Sequence, residues 1–217
     1  MEPPASRATR GGTRRRRHRQ LGEAGVAACK KNARRRKAWI CFQDESGFSL
    51  LPSVRATWAP KGKTPVLHHR FSWKRLSMSA AVGFAPDRSD AWLVFNMRPG
   101  AYNNESIIEF LEDLHAHLGA DKLTLIWDGL PSHRSKVMQA WIATQRDWLV
   151  VERLPGYGHD LNPVELVWAN LKSSELANLC PDTIEEAAVH ADTGLDRIGT
   201  DTDLCFAFLK HGTCQAF

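Results

Sequence analysis

Apolar and polar positions change their period partway along the chain. The first part reads as short strands: "AWICFQ" (38–43), "FSLLP" (48–52), "RATWAP" (55–60), "VLHHRF" (66–71), "RLSMSAAVGFAP" (75–86) and "AWLVFNM" (91–97). "PKGKTP" (60–65) interrupts them as a turn, so the flanking runs predict a hairpin. From residue 103 the spacing becomes helical. "NNESIIEFLEDLHAHLG" (103–119) puts Ile107, Ile108, Leu111, Leu114 and Leu118 on one face, with Gly119 as a C-cap. A strand "KLTLIWD" (122–128), a helix over 135–148 and a strand "LVVERLP" (149–155) follow. Helices are then predicted over 163–179, 182–198 and 203–210. β-rich first and α-β-α-β-α afterwards, this order predicts an α/β fold: a mixed sheet flanked by helices. In such sheets chemistry collects at the carboxyl ends of strands.

Charge divides the chain unevenly. Residues 1–37 carry thirteen Lys/Arg against two acids, Glu2 and Glu23, so this segment is +11 while the whole chain is only +5. The remainder is therefore −6. Residues 1–37 read as a basic arm, largely disordered or helical, attached to an acidic body over 38–217. An arm of this kind fits a polyanion partner, with Arg14, Arg15, Arg16, Arg17, Arg34, Arg35 and Arg36 as candidate DNA contacts. A solvated tail is the plainer reading. Five cysteines without a CxxC pair argue against a zinc ribbon and a disulfide framework, and fit a reducing compartment. No apolar run nears the ~18 residues of a membrane span, and the basic N-terminus lacks the apolar stretch of a secretory signal.

Three acids occupy positions where this architecture places chemistry. Asp44 is expected at the end of the first strand, Asp128 at the end of "KLTLIWD", and Glu165 in the first turn of the helix that opens at Asn162-Pro163. Three such carboxylates suit hard divalent cations, and two ions roughly 4 Å apart can drive phosphodiester cleavage. Each acid also has a plainer reading. Asp128-Gly129 could be a turn pair, and Asp44 and Glu45 capping or surface acids. Glu165 could be the N3 residue of a capping box with Asn162 at the N-cap. Trp168, on the same helix face, reads as core. Lys172 reads either as a phosphate contact or as a solvated lysine. Arg55, Lys61 and Lys63 flank the predicted hairpin and read as DNA contacts or as an ordinary charged turn.

"QDESGFSLLP", "RATWAPKGKTP", "LIWDGLPSHRS" and "LPGYGHDLNPVELVWANLK" occur in this order. Together they resemble the DDE transposases of bacterial insertion sequences related to the mariner group, from about Trp39 to at least Leu179. The resemblance implies a ribonuclease H-like fold, with Asp44, Asp128 and Glu165 as metal-binding catalytic residues. It implies two Mg²⁺ or Mn²⁺ ions and no nucleophilic side chain. It also puts His133, of the Asp-x-x-x-x-His motif, beside the site, against the alternative of a helix-start residue near Ser132. Asn162 belongs to the Asn-Pro-x-Glu motif, and Lys172 shares the helix face of its Glu165. His159 stands where the family has proline. The family's helix-turn-helix units have no counterpart in residues 1–37, which implies a catalytic-domain fragment, one frame of a split gene or a decayed copy.

The expected function is hydrolysis and strand transfer at the ends of a mobile element. The expected partners are its terminal inverted repeats and target DNA; a homodimer is left open, and no membrane partner is expected. A bacterial, cytoplasmic and nucleoid-associated location goes with this. The alternative is a truncated, non-catalytic fragment that binds DNA or inhibits a full-length transposase.

Overall fold

The computed structural model describes residue 25 and residues 28–70, 72–155 and 161–212. Arg14, Arg15, Arg16 and Arg17 lie outside them, as do residues 156–160. Five strands form one sheet: β1 (Ala38–Ser49), β2 (Arg75–Phe84), β3 (Ala91–Pro99), β4 (Lys122–Trp127) and β5 (Leu149–Arg153). Their order is β3-β2-β1-β4-β5, with β1–β2 and β2–β3 antiparallel and β1–β4 and β4–β5 parallel. The helices are α1 (Asn104–Leu118), α2 (Lys136–Thr144), α3 (Val164–Ser173), α4 (Ile184–Thr200) and α5 (Thr202–Gly212). The mixed α/β architecture expected from the periodicity is the one observed.

The central strand β1 is covered on both faces, which is why its first half is an unbroken apolar run. Ile40 and Phe42 enter one core with Met78, Ala80, Val82 and Ile126, beneath α3, α4 and α5. Cys41 enters the other, with Ala81, Leu123, Leu125 and Trp127, beneath α1 and α2. Along a strand, then, even and odd positions of β1 belong to different layers of the molecule. α1 begins with a capping box, in which Asn103 Oδ1 accepts from Ser106 N and Ser106 Oγ accepts from Asn103 N, and it ends at Gly119 with φ 62°.

Three expectations need correction. β1 does not stop at Asp44: β2 continues the ladder from Asp44↔Ala80 to Ser49↔Arg75. The predicted hairpin around residues 60–65 does not form. β1 and β2 pair with each other to their ends, which leaves residues 50–74 as an excursion without a strand partner. Within it residues 61–62 do turn, while the described part of "VLHHRF", residues 66–70, is irregular. Finally, α3 ends at Ser173 rather than near residue 179. Ala177 instead bridges Ser53, Asn178 N donates to Ser53 O, and Asn178 Oδ1 accepts from Arg55 N at 2.8 Å. These bonds to the excursion replace the last helical turns.

The N-terminal segment joins the body before β1. Residues 28–36 are helical, and Ala33 is buried in the core. Arg36 donates to the carbonyls of Leu123 and Trp148, each at 3.4 Å, and so ties this helix to the starts of β4 and β5. Among the described residues, no helix is long and apolar enough to cross a membrane.

Candidate active site

The β1–β4 register runs from Ala38↔Lys122 to Phe42↔Ile126. Continued by two residues it sets Asp44 level with Asp128. Asp44 shares the strand face of Ile40 and Phe42, and Asp128 that of Ile126, so the two acids leave adjacent parallel strands on the same side, where strands lie ~4.8 Å apart. Pairing between β1 and β4 stops just before them. Asp44 is thus at the end of a ladder, though not at the end of its strand.

α3 brings the third acid over that side of the sheet. Val164, Val167, Trp168 and Leu171 bury one stripe in the core beneath it. Glu165 stays exposed. The helix is fixed by two contacts to β1. Asn162 Nδ2 donates to Gln43 O at 3.2 Å, and Trp168 Nε1 donates to Asp44 Oδ2 at 3.0 Å. A third contact lies one turn on, where Lys172 Nζ donates to Ser46 Oγ at 2.8 Å. The expected capping box at Glu165 is absent. Pro163 is the N-cap and no side chain caps the helix; Asn162 Oδ1 instead accepts from Val164 N. Asn162 is drawn toward the Gln43 carbonyl, and the Glu165 carboxylate is left over for the site.

The electrostatics of the two strand acids differ. Asp44 is pushed up from 3.8 to about 7, first by burial and then by the negative charge of Glu165; the Trp168 hydrogen bond opposes this, and Glu45 and Asp128 add to it. Asp128 is held below its ordinary value. Burial raises it, but hydrogen bonds from His133 and the Leu130 amide outweigh that. His133 is raised to about 9: burial lowers it, and the hydrogen bonds and charges of Asp128 and Glu45 prevail. Its Nδ1 lies 2.9 Å from Asp128 Oδ1, and its ring stacks on Trp127 with centroids 4.1 Å apart. His133 therefore stands beside Asp128 as the motif implied, rather than as a bystander at a helix start.

The other candidates fall elsewhere. Arg55, Lys61 and Lys63 are exposed in the 50–74 excursion. Arg34 and Arg35 lie on the 28–36 helix, where Arg35 bonds Asn32, and Arg36 is engaged with backbone carbonyls. Sequence reasoning passed over two contacts. Trp168 is core, as its position on the helix implies, and its indole N–H also reaches Asp44 Oδ2. Glu45 was read as a surface or capping acid, although its side chain is only 13% exposed and meets His133 Nε2 at 3.2 Å. No local pattern announces that second contact, because its partner lies far along the chain.

The donor set suits a hard divalent cation. The negative charges of Glu165, Glu45 and Asp128 act on Asp44, and carboxylate oxygens are the ligands that such cations take. The side chains are not drawn together: among the described residues no three His, Cys, Asp or Glu are gathered as a cation site.

A central strand paired parallel on one side and antiparallel on the other, in a five-stranded sheet flanked by helices, is the ribonuclease H-like fold. The same fold is found in Mos1 mariner transposase. The chain superposes on the paired end complex with Mn at a TM-score of 0.62 and 16% identity, over 96% of this chain and 62% of that one. For the paired end complex with Mg the values are 0.61 and 16%, over 97% and 63%. For the paired-end complex with left transposon end they are 0.57 and 15%, over 98% and 67%. The chain thus spans some 62% to 67% of the length of these Mos1 chains. No curated protein matches. The sequence profile of the DDE superfamily endonucleases matches residues 39–186. The chain belongs to that family.

Proposed function

We propose that this chain is the catalytic domain of a DDE transposase from a mariner-related bacterial insertion sequence. It hydrolyses phosphodiester bonds at the element's ends and joins the freed 3′-hydroxyl to target DNA. The observation that carries this is that Asp44 and Asp128 each follow the last β1–β4 pair, Phe42↔Ile126, by two residues, with the charge of Glu165 acting on Asp44 from α3. The mixed sheet and the family membership support it.

Asp44, Asp128 and Glu165 would hold two Mg²⁺ or Mn²⁺ ions; the Mos1 complexes are described with these metals. Such ions supply charge neutralisation at a scissile phosphate. The protein's part is positional. Trp168 turns Asp44 by one oxygen, His133 turns Asp128, and Asn162 sets the start of α3. Lys172, on the face of Glu165, adds a positive charge for a DNA phosphate once it leaves Ser46. No side chain acts as nucleophile. The expected boundary at residue 38 moves back, because the 28–36 helix packs on the body; the basic residues ahead of it would serve as the arm for DNA. The partners are the element's terminal inverted repeats and target DNA, in a bacterial cytoplasm, at the nucleoid.

The test is nicking of supercoiled plasmid by the full chain in Mg²⁺ or Mn²⁺, beside Asp128→Asn. Asn keeps the shape and loses the charge, so nicking is expected to disappear. Equal cleavage by Asp128→Asn overturns the assignment. A parent chain that binds plasmid without nicking it in either ion is instead a DNA-binding or transposase-inhibiting fragment.

A further inference from the structure

Glu45 follows Asp44 directly but projects to the opposite face of β1, the face of Cys41 and Trp127. A carboxylate taken out of water there costs several kcal/mol unless it is bonded. It receives two donors, both on Oε1: Gln43 Nε2 at 2.9 Å and His133 Nε2 at 3.2 Å. Gln43 Nε2 also reaches Ser79 Oγ on β2 at 3.0 Å, so the acid is tied to two paired strands. Its Oε2 is buried without a hydrogen bond, as is Gln43 Oε1. An acid chosen for stability alone would not leave an oxygen stranded.

The other end of this chain of contacts is Asp128. His133 is fully buried and lies parallel to the Trp127 ring, at an interplanar angle of 1°. Stacking fixes the plane of the imidazole but permits rotation within it. The Glu45 contact removes that rotation and points Nδ1 at Asp128 Oδ1. Asp128 needs such help, because it stands just past β4, where its other hydrogen bond is from Leu130 N, also to Oδ1. Both bonds on Oδ1 leave Oδ2 for a cation.

We propose that Glu45 is a positioning residue, which fixes the ring of His133 and through it the Asp128 carboxylate. Partners one step behind a ligand typically change metal affinity ten- to a hundredfold when removed. This inference rests on the reading of Asp128 as a metal-binding residue, and the experiment separates the two.

Mn²⁺ binding by the full chain is measured by electron paramagnetic resonance for the parent, Glu45→Ala, Glu45→Gln and Asp128→Asn. In parallel, ¹H–¹⁵N spectra follow the imidazole of His133. Glu45→Ala is expected to weaken Mn²⁺ binding by about ten- to a hundredfold. It should also lose the slowly exchanging His133 Nδ1–H signal, with the backbone spectrum otherwise kept. Glu45→Gln retains an oxygen that accepts from His133 Nε2, and should stay close to the parent in both measurements. A folded Glu45→Ala with parental affinity, beside an Asp128→Asn that binds no Mn²⁺, overturns the role of Glu45 and leaves the metal reading intact. Parental affinity in Asp128→Asn overturns the metal reading itself. Should Glu45→Ala not fold, Glu45→Gln decides: parental affinity and an unchanged imidazole signal support positioning, and a loss as deep as that of Asp128→Asn overturns it.

Discussion

Asp44 and Asp128 each lie two residues past the last β1–β4 pair, Phe42↔Ile126, yet the protein treats their charges in opposite ways. Asp44 is buried among like charges and is raised from 3.8 to about 7. A raised acid binds its proton more tightly folded than unfolded. Its ionisation therefore costs nothing below ~pH 4, costs more as pH climbs toward 7, and costs a constant amount above that. In metal-free buffer, Asp44→Asn should thus raise the melting temperature at pH 8 and leave it nearly unchanged at pH 4. Asp128 is lowered by His133 and Leu130. Its charge stabilises the fold above its unfolded value and is lost as pH falls through the folded one, so Asp128→Asn should lower the melting temperature at pH 8. Relief of repulsion is thus expected on removing the acid at Asp44 and not at Asp128. Thermal unfolding followed by circular dichroism at the two pH values checks both signs, and equal shifts for the two variants would refute the asymmetry.

At the scale of elements, the positions of Asp128 and Glu165 were legible because each sits at a boundary that periodicity and turn residues mark, whereas Asp44 lies within β1. How the elements that carry them are set against one another was not legible, since it depends on the β1–β4 register and on Asn162 reaching Gln43 O. Where local pattern failed, tertiary bonding took over: the 50–74 excursion lost its strands because β1 and β2 consume each other's hydrogen bonds, and α3 lost its last turns to Ser53. One glycine shows how tightly α3 is held. A Cβ at Gly194, in α4, would stand 2.6 Å from Leu171 Cδ1 and 2.8 Å from Glu175 Cδ. Leu171 is fully buried, and Glu175 is bonded to Arg197 at 2.6 Å, so neither yields freely. Helix propensity alone says that Gly194→Ala stabilises by up to about 1 kcal/mol. Overpacking costs about 1–3 kcal/mol and should win. Chemical denaturation measures the sign, and a net gain would mean that the α3–α4 contact is looser than its geometry.

Across the whole molecule, the opposed charges of arm and body set how it meets DNA. The folded body begins inside the basic segment, because Ala33 is core and Arg36 holds the starts of β4 and β5. Deleting residues 1–37 would therefore unseat the sheet as well as remove charge, and the cleaner truncation is 1–24. Seven arginines lie within it. If about five contact phosphates, log K should fall with log salt at a slope near −4 to −5. Truncation should flatten that slope and weaken binding on element-end and scrambled duplexes alike. A slope unchanged by the truncation would place the DNA-reading surface on the body.

The parallel pairing of Ala38 with Lys122 also sets the order in which the molecule can be made. β1, β2 and β3 are consecutive antiparallel neighbours and can zip along the chain as it emerges. β4 has to find β1 across everything synthesised between them, and long-range parallel pairing of this kind is slow. Asp44 is thus in place early, with no neighbour; Asp128 arrives with β4, and Glu165 later still, when α3 docks. A growing or half-folded chain carries the basic arm from the outset but lacks the three-carboxylate arrangement. On the proposed function, contact with DNA would come before the capacity to cut it, because the long-range parallel pairing that follows is slow.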